Sequence, residues 1–195
     1  MIPFRLGLSI AALLLSSSAV AQGQSDPAAL NFRLDTAATT IRWTLGATVH
    51  TVHGTFRLKS GELRLDPATR GASGLISVDA TTGESGNGAR DRRMHREILE
   101  SSQHPAITFR PTHVTGTLNP VTTGPITLDG VLTLHGQDHP LQLAITLHRN
   151  GDVLTAETNF DVPYVAWGMK DPSTFIFRVE KQVHIDVSAA APVPR

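Results

Sequence analysis

From Ile126 to Leu147 apolar residues fall on every second position for two strand lengths: Ile126, Leu128, Leu132 and Leu134, then Leu141, Leu143, Ile145 and Leu147. Side chains of an extended strand point alternately to its two faces, so such a segment buries one side and wets the other. The same period marks Ile41, Trp43 and Leu45, then Phe56 and Leu58, Leu63 and Leu65, Ile76 and Val78, and Ile107 and Phe109. Asp129-Gly130 would ordinarily mark a hairpin. The alternation passes through it unbroken, which predicts a strand with an inward glycine or a bulge. Asn150-Gly151 reads as a type I′ turn into a strand over Val153 to Phe160. A last strand carries Phe175, Phe177, Val179, Val183, Ile185 and Val187 on one face, with Lys181 the exception. At least eight one-sided strands with short connections predict an all-β antiparallel fold, a barrel or a sandwich, because a sheet this long must avoid open edges.

One segment breaks the period. In "RDRRMHREILESSQHP", residues 90–105, Met94 and Ile98 stand one helical turn apart and Leu99 widens that face. Asn87 is placed to cap a helix with Asp91 in its first turn, and Pro105 ends it. Arg93/Glu97 and Arg96/Glu100 are spaced to pair. The spacing predicts one short helix near residues 88–101 with an apolar stripe and a charged back.

The first 21 residues read as a cleaved signal peptide: Arg5, an apolar run from Leu6 to Leu15, and Ala19-Val20-Ala21 as a cleavage signal. The run is too short to span a bilayer. This predicts a soluble, exported protein, periplasmic or secreted. Residues 22–30 read as a leader, 31–187 as one domain and 188–195 as a flexible tail. There is no cysteine, so packing and backbone hydrogen bonds must hold the exported chain together. Lysine plus arginine equal aspartate plus glutamate at 17 each. That balance argues against nucleic acid as a partner.

Catalytic motifs are missing. No G-x-S-x-G elbow or S-x-x-K occurs, and the carboxylates are scattered. The nine histidines include His50-x-x-His53 and the pair His135 and His139 about a turn, but no spacing supplies three or four convergent ligands. No metal and no cofactor is expected, and a His-only site built from distant strands is the lesser reading. The apolar inventory points to a cavity instead. An eight-stranded barrel is wide enough for one slender ligand, and each buried methylene of an alkyl or prenyl chain contributes about 0.8 kcal/mol. The helix would then act as a lid.

Four blocks in order, "ATVHTVHGTFRLKSGELRLD", "GNGARDRRMHREILESSQHPAITF", "LDGVLTLHGQDHPLQL" and "WGMKDPSTFIFRVEKQVHIDV", resemble the YceI-like family of bacterial polyisoprenoid-binding proteins, from about Asn31 to Val187. The resemblance implies an extended, eight-stranded, lipocalin-like antiparallel barrel, usually periplasmic, that holds an isoprenoid, quinone or fatty-chain lipid. It places the family's Asn…Arg-Asp segment on Asn87, Arg90 and Asp91, followed by Met94. Its H-G-x-F element falls on His53, Gly54 and Phe56, and its W-G-M element on Trp167, Gly168 and Met169. No catalytic set carries over.

The combined reading is a lipid carrier and not an enzyme. Cavity candidates are Trp43, Phe56, Ile76, Met94, Ile98, Phe109, Leu132, Ile145, Phe160, Trp167, Phe175 and Phe177. Head-group candidates are His53, Asn87, Arg90 and Asp91, with a mutual Arg90–Asp91 ion pair as the competing role for the last two. The alternatives are a periplasmic quinone-linked redox accessory or metal-assisted enzyme using histidines, and an interaction module with a solid core. A homodimer and transient contact with a membrane or a membrane redox protein are compatible with the fold that the resemblance implies.

Overall fold

A computed structural model describes residues 29–117 and 123–194. The proposed signal peptide and most of the leader lie outside the described residues. Among the described residues nine strands form one antiparallel sheet: β1 (Leu30–Arg33), β2 (Thr40–Leu45), β3 (Val52–Leu65), β4 (Ala72–Glu84), β5 (Ala106–Gly116), β6 (Gly124–Leu134), β7 (Gln137–Asn150), β8 (Val153–Val162) and β9 (Val183–Pro192). Neighbours run β3-β2-β9-β8-β7-β6-β5-β4, and β4 returns to pair with β3. Eight strands therefore close into a barrel, and short β1 lies along β3 beyond β2. Closure leaves no long edge unpaired, which decides barrel over sandwich.

The alternating residues face inward as the period requires, and Ile41, Trp43, Leu58, Phe109, Leu128, Leu132, Leu143 and Ile145 are all buried. Strand β6 runs unbroken through Asp129-Gly130, and the irregularity falls on its partner β5, between Pro111 and His113. Gly130 is needed for space. A Cβ there would stand 2.5 Å from Phe109 Cζ and from the Arg110 carbonyl oxygen.

Three expectations require correction. The β7–β8 hairpin forms, but Asn150 pairs with Val153 in the ladder, so its two central residues are Gly151 and Asp152. The final strand begins at Val183 and not at Phe175. Thr174 N–H donates to the Phe177 carbonyl at 2.8 Å, and Phe177 N–H donates to Thr174 Oγ1 at 3.1 Å, which folds residues 174–177 into a turn. The tail starts later than residue 188, because β9 continues to Pro192 with Ala190 and Ala191 buried against β8.

The antiparallel order puts the connections 46–51, 85–105, 135–136 and 163–182 at one end of the barrel. Within 85–105 lies the helix. Asn87 caps it by accepting from the N–H groups of Ala89 and Arg90, both at 3.1 Å. Helix α1 (Gly88–Arg93) passes into a π-helical turn, Met94–Ile98, where Leu99 N–H reaches back to the Met94 carbonyl. The helical segment thus ends at Ile98, short of residue 101. The wider turn takes Glu100 away from Arg96, and Arg96 pairs with Glu97 at 2.6 Å instead. His95 fastens the segment to the barrel: Nε2 donates to the Gly83 carbonyl of β4 at 2.8 Å, while Nδ1 accepts from Ser101 Oγ at 2.9 Å. No helix among the described residues is long and apolar enough to cross a membrane.

Candidate functional site

The barrel is hollow. Its interior encloses a cavity of about 560 Å³, in the range of sites for small ligands. Trp43, Phe56, Ile76, Phe109, Leu132, Ile145 and Phe160 line it from the strands, and Met94, Ile98 and Leu99 close over it from the helical segment. The apolar stripe therefore faces the cavity.

Two aromatic candidates stand elsewhere. Trp167 lies in the 163–182 connection, outside the cavity, and stacks on His139 with centroids 3.8 Å apart and planes at 5°. Phe175 is 96% exposed, because the 174–177 turn lifts it off the barrel. Phe177 belongs to both environments, lining the cavity while remaining 56% exposed at its mouth.

The head-group candidates separate in the same way. His53 is on the outer face, with Nδ1 3.0 Å from Thr44 Oγ1, and Asn87 is exposed at its cap position. Arg90 reaches the cavity wall. Its Nε donates to Ser85 Oγ at 2.7 Å and its Nη2 to the Ser85 carbonyl at 3.0 Å. Asp91 accepts from Ser85 N–H at 3.0 Å and from the Ser85 hydroxyl. Arg90 and Asp91 are thus bridged by Ser85, and no direct ion pair joins them. The intervening serine satisfies both charges at the helix entry.

Sequence reasoning missed Arg93, Tyr164 and Met169, all of which line the cavity. Arg93 follows Arg90 by three residues, a spacing that puts both on one helix face. Its Nη2 donates to the Pro172 carbonyl at 3.4 Å, and its Nε lies 3.4 Å from Glu97. Glu97 also takes Lys170 at 3.0 Å, so it ties the helix to the 163–182 connection. Hydrogen bonds from Arg96 and then Lys170 hold its carboxyl down to about 2. Tyr164 donates to the Glu180 carbonyl at 2.7 Å, and burial, then Asp171, pushes its phenol up to about 12. It stays a neutral donor that pins the base of that connection.

One polar atom in the wall stands out. Trp43 is 5% exposed, and its Nε1 donor is buried without a partner. A buried unpaired donor costs about 1–3 kcal/mol. Arg90 and Arg93 are the charged donors among the residues that line an otherwise mostly apolar interior.

The fold and its interior define a class: a closed antiparallel barrel whose apolar cavity is capped by a short helix. The family model of the YceI-like domain matches residues 32–191, and the chain belongs to that family. Solved structures share the fold. BcnA of Burkholderia cenocepacia superposes with a TM-score of 0.68 at 16% identity, covering 81% of this chain and 99% of that one. A polyisoprenoid-binding domain from Saccharophagus degradans gives 0.60 at 14% identity, covering 85% and 99%. The YceI protein of Campylobacter jejuni gives 0.53 at 11% identity, covering 98% and 94%. No curated protein matches the sequence.

Proposed function

We propose that this protein is an exported, non-enzymatic carrier that holds the chain of an isoprenoid or similar long amphiphile inside its barrel. The observation that carries the reading is the 560 Å³ cavity with its largely aliphatic and aromatic lining. At about 0.8 kcal/mol per buried methylene, a chain of about twenty carbons gains enough to offset the cost of immobilising it. Membership of the YceI-like family and the fold shared with a polyisoprenoid-binding domain support the same ligand class.

The polar end of the ligand faces the helix end of the barrel, where Arg90 and Arg93 offer donors. An oxygen-bearing head, such as a quinone or amide carbonyl, accepts from these arginines where a plain hydrocarbon does not. Loading proceeds from a membrane surface. Phe175 and Ile176, 96% and 74% exposed, project beside the mouth, and Phe177 leads from them into the cavity. The signal peptide read over residues 1–21 directs the chain to the periplasm.

Binding of a prenol, a quinone and a fatty amide to delipidated protein tests the reading. Saturable uptake of one chain per protein supports it, and no uptake of any of the three refutes it.

A further inference from the structure

Outside the cavity, three side chains from separate parts of the helix end converge. Glu100 follows the π-helical turn, His104 lies on the segment leading into β5, and His135 is the first residue of the β6–β7 turn. One donor atom from each lies within 4.8 Å of the other two. His135 Nε2 is 2.8 Å from Glu100 Oε2, and the rings of His104 and His135 stand 4.4 Å apart, tilted by 50°.

We propose that Glu100, His104 and His135 bind a divalent transition metal of the zinc type, and that the ion fastens the helical cap to the β6–β7 turn. Two imidazoles and one carboxylate form a donor set suited to zinc, with a fourth position open for water or another ligand. Zinc bonds of 2.0–2.1 Å put tetrahedral donors about 3.4 Å apart. The Glu100–His135 pair stands at 2.8 Å and the remaining donor pairs within 4.8 Å, so small side-chain rotations suffice to close the site.

Among the described residues three non-glycine positions have positive φ, and two of them are Glu100 at 44° and His135 at 52°. Glutamate is uncommon in that region, whereas histidine is among the residues enriched there. At His135 an asparagine would suit a type I′ turn better. Gly136 makes room for the His104 ring: a Cβ there would stand 3.0 Å from His104 Cε1 and 3.2 Å from its Nδ1. A further nitrogen, His139 Nε2, is buried with no hydrogen-bond partner, and His139 lines the same cleft as His104 and His135.

The test is calorimetric titration of the chelator-stripped full chain with zinc alone, beside His104→Ala, His135→Asn and a remote control, His148→Ala. Cobalt absorption reads the coordination. His135→Asn removes a donor while keeping a residue that suits the turn, so its metal-free Tm should equal or exceed that of the wild type. The expected result is one tight zinc equivalent in the wild type and the control, weakened at least about tenfold in both site variants. The cobalt d–d band and the zinc-induced rise in Tm should be lost in the same variants. Wild-type zinc affinity in His104→Ala and His135→Asn would overturn the proposal, as would no zinc uptake by the wild type. Neither result bears on lipid binding, which the cavity carries alone.

Discussion

The indole of Trp43 occupies the space that a side chain at Gly54 would need: a Cβ on Gly54 would stand 2.2 Å from Trp43 Cζ2 and 2.2 Å from the Glu84 carbonyl oxygen. The two residues face each other across the β2–β3 ladder. Gly54→Ala must therefore push back both an aromatic ring and a strand. Overpacking of this kind costs about 1–3 kcal/mol. A lowered urea midpoint with reduced lipid occupancy is the expected outcome, and a variant as stable as the wild type would contradict this packing.

Arg93 brings a charged donor to the cavity lining from the helical cap. Arg93→Met keeps an apolar stem and deletes the guanidinium. Affinity for a prenylated quinone or a fatty amide should fall about tenfold, the equivalent of one hydrogen bond of about 1.4 kcal/mol. Affinity for a hydrocarbon of matched length should change much less. Equal losses for both ligands would show that the guanidinium makes no bond to the head group.

Ala156 lines the cavity from β8. Ala156→Phe projects a ring into empty space, so the barrel should remain folded while its ligand is excluded. Far-UV dichroism and quantified lipid extraction check the two halves separately. Undiminished occupancy in a folded variant would place the ligand elsewhere.

Phe175→Ser with Ile176→Ser tests the mouth. Both side chains are largely exposed, so stability should shift by no more than about 0.5 kcal/mol each. Transfer of a fluorescent lipid from vesicles should slow, while affinity for ligand added in detergent stays the same. Unchanged transfer would remove these residues from the loading route.

His184 on β9 should give a small pH dependence of stability. Its Nδ1 lies 2.7 Å from Asp161, and that hydrogen bond, with Asp186 nearby, raises its pKa above 6.5. The charged form is favoured by the fold, so the stabilisation is complete below the unfolded pKa and disappears as pH rises through the raised value. At 44% exposure solvent screens most of it. Urea midpoints at about pH 6 and about pH 8 should differ slightly in the wild type. In His184→Gln that contribution should be absent.

Much of the barrel was legible because period-two alternation in β2 through β8 reports a one-sided wall, and the inner face of such a wall is the cavity lining. The helical cap was legible from Met94, Ile98 and Leu99 for the same reason. The last strand misled. Phe175, Phe177 and Val179 keep the alternation, but Thr174 supplies a side-chain hydrogen bond that turns the chain, a signal that periodicity does not carry. Trp167 reads as a cavity candidate from the apolar inventory, yet its stacking partner His139 is distant in sequence. The Ser85 bridge between Arg90 and Asp91 was hidden for a related reason, since an ion pair is the simplest reading of adjacent opposite charges. Convergence of Glu100 and His104 with His135 depends on the β6–β7 turn meeting the end of the helical segment, which only the closed barrel brings about.

The central claim is that the cavity holds a long-chain amphiphile. Native mass spectrometry of the purified chain, followed by organic extraction and identification of what is released, addresses it most directly. The account predicts one bound long-chain molecule with an oxygen-bearing head per protein, displaced in Ala156→Phe. An empty protein that also takes up no prenol, quinone or fatty amide would contradict it.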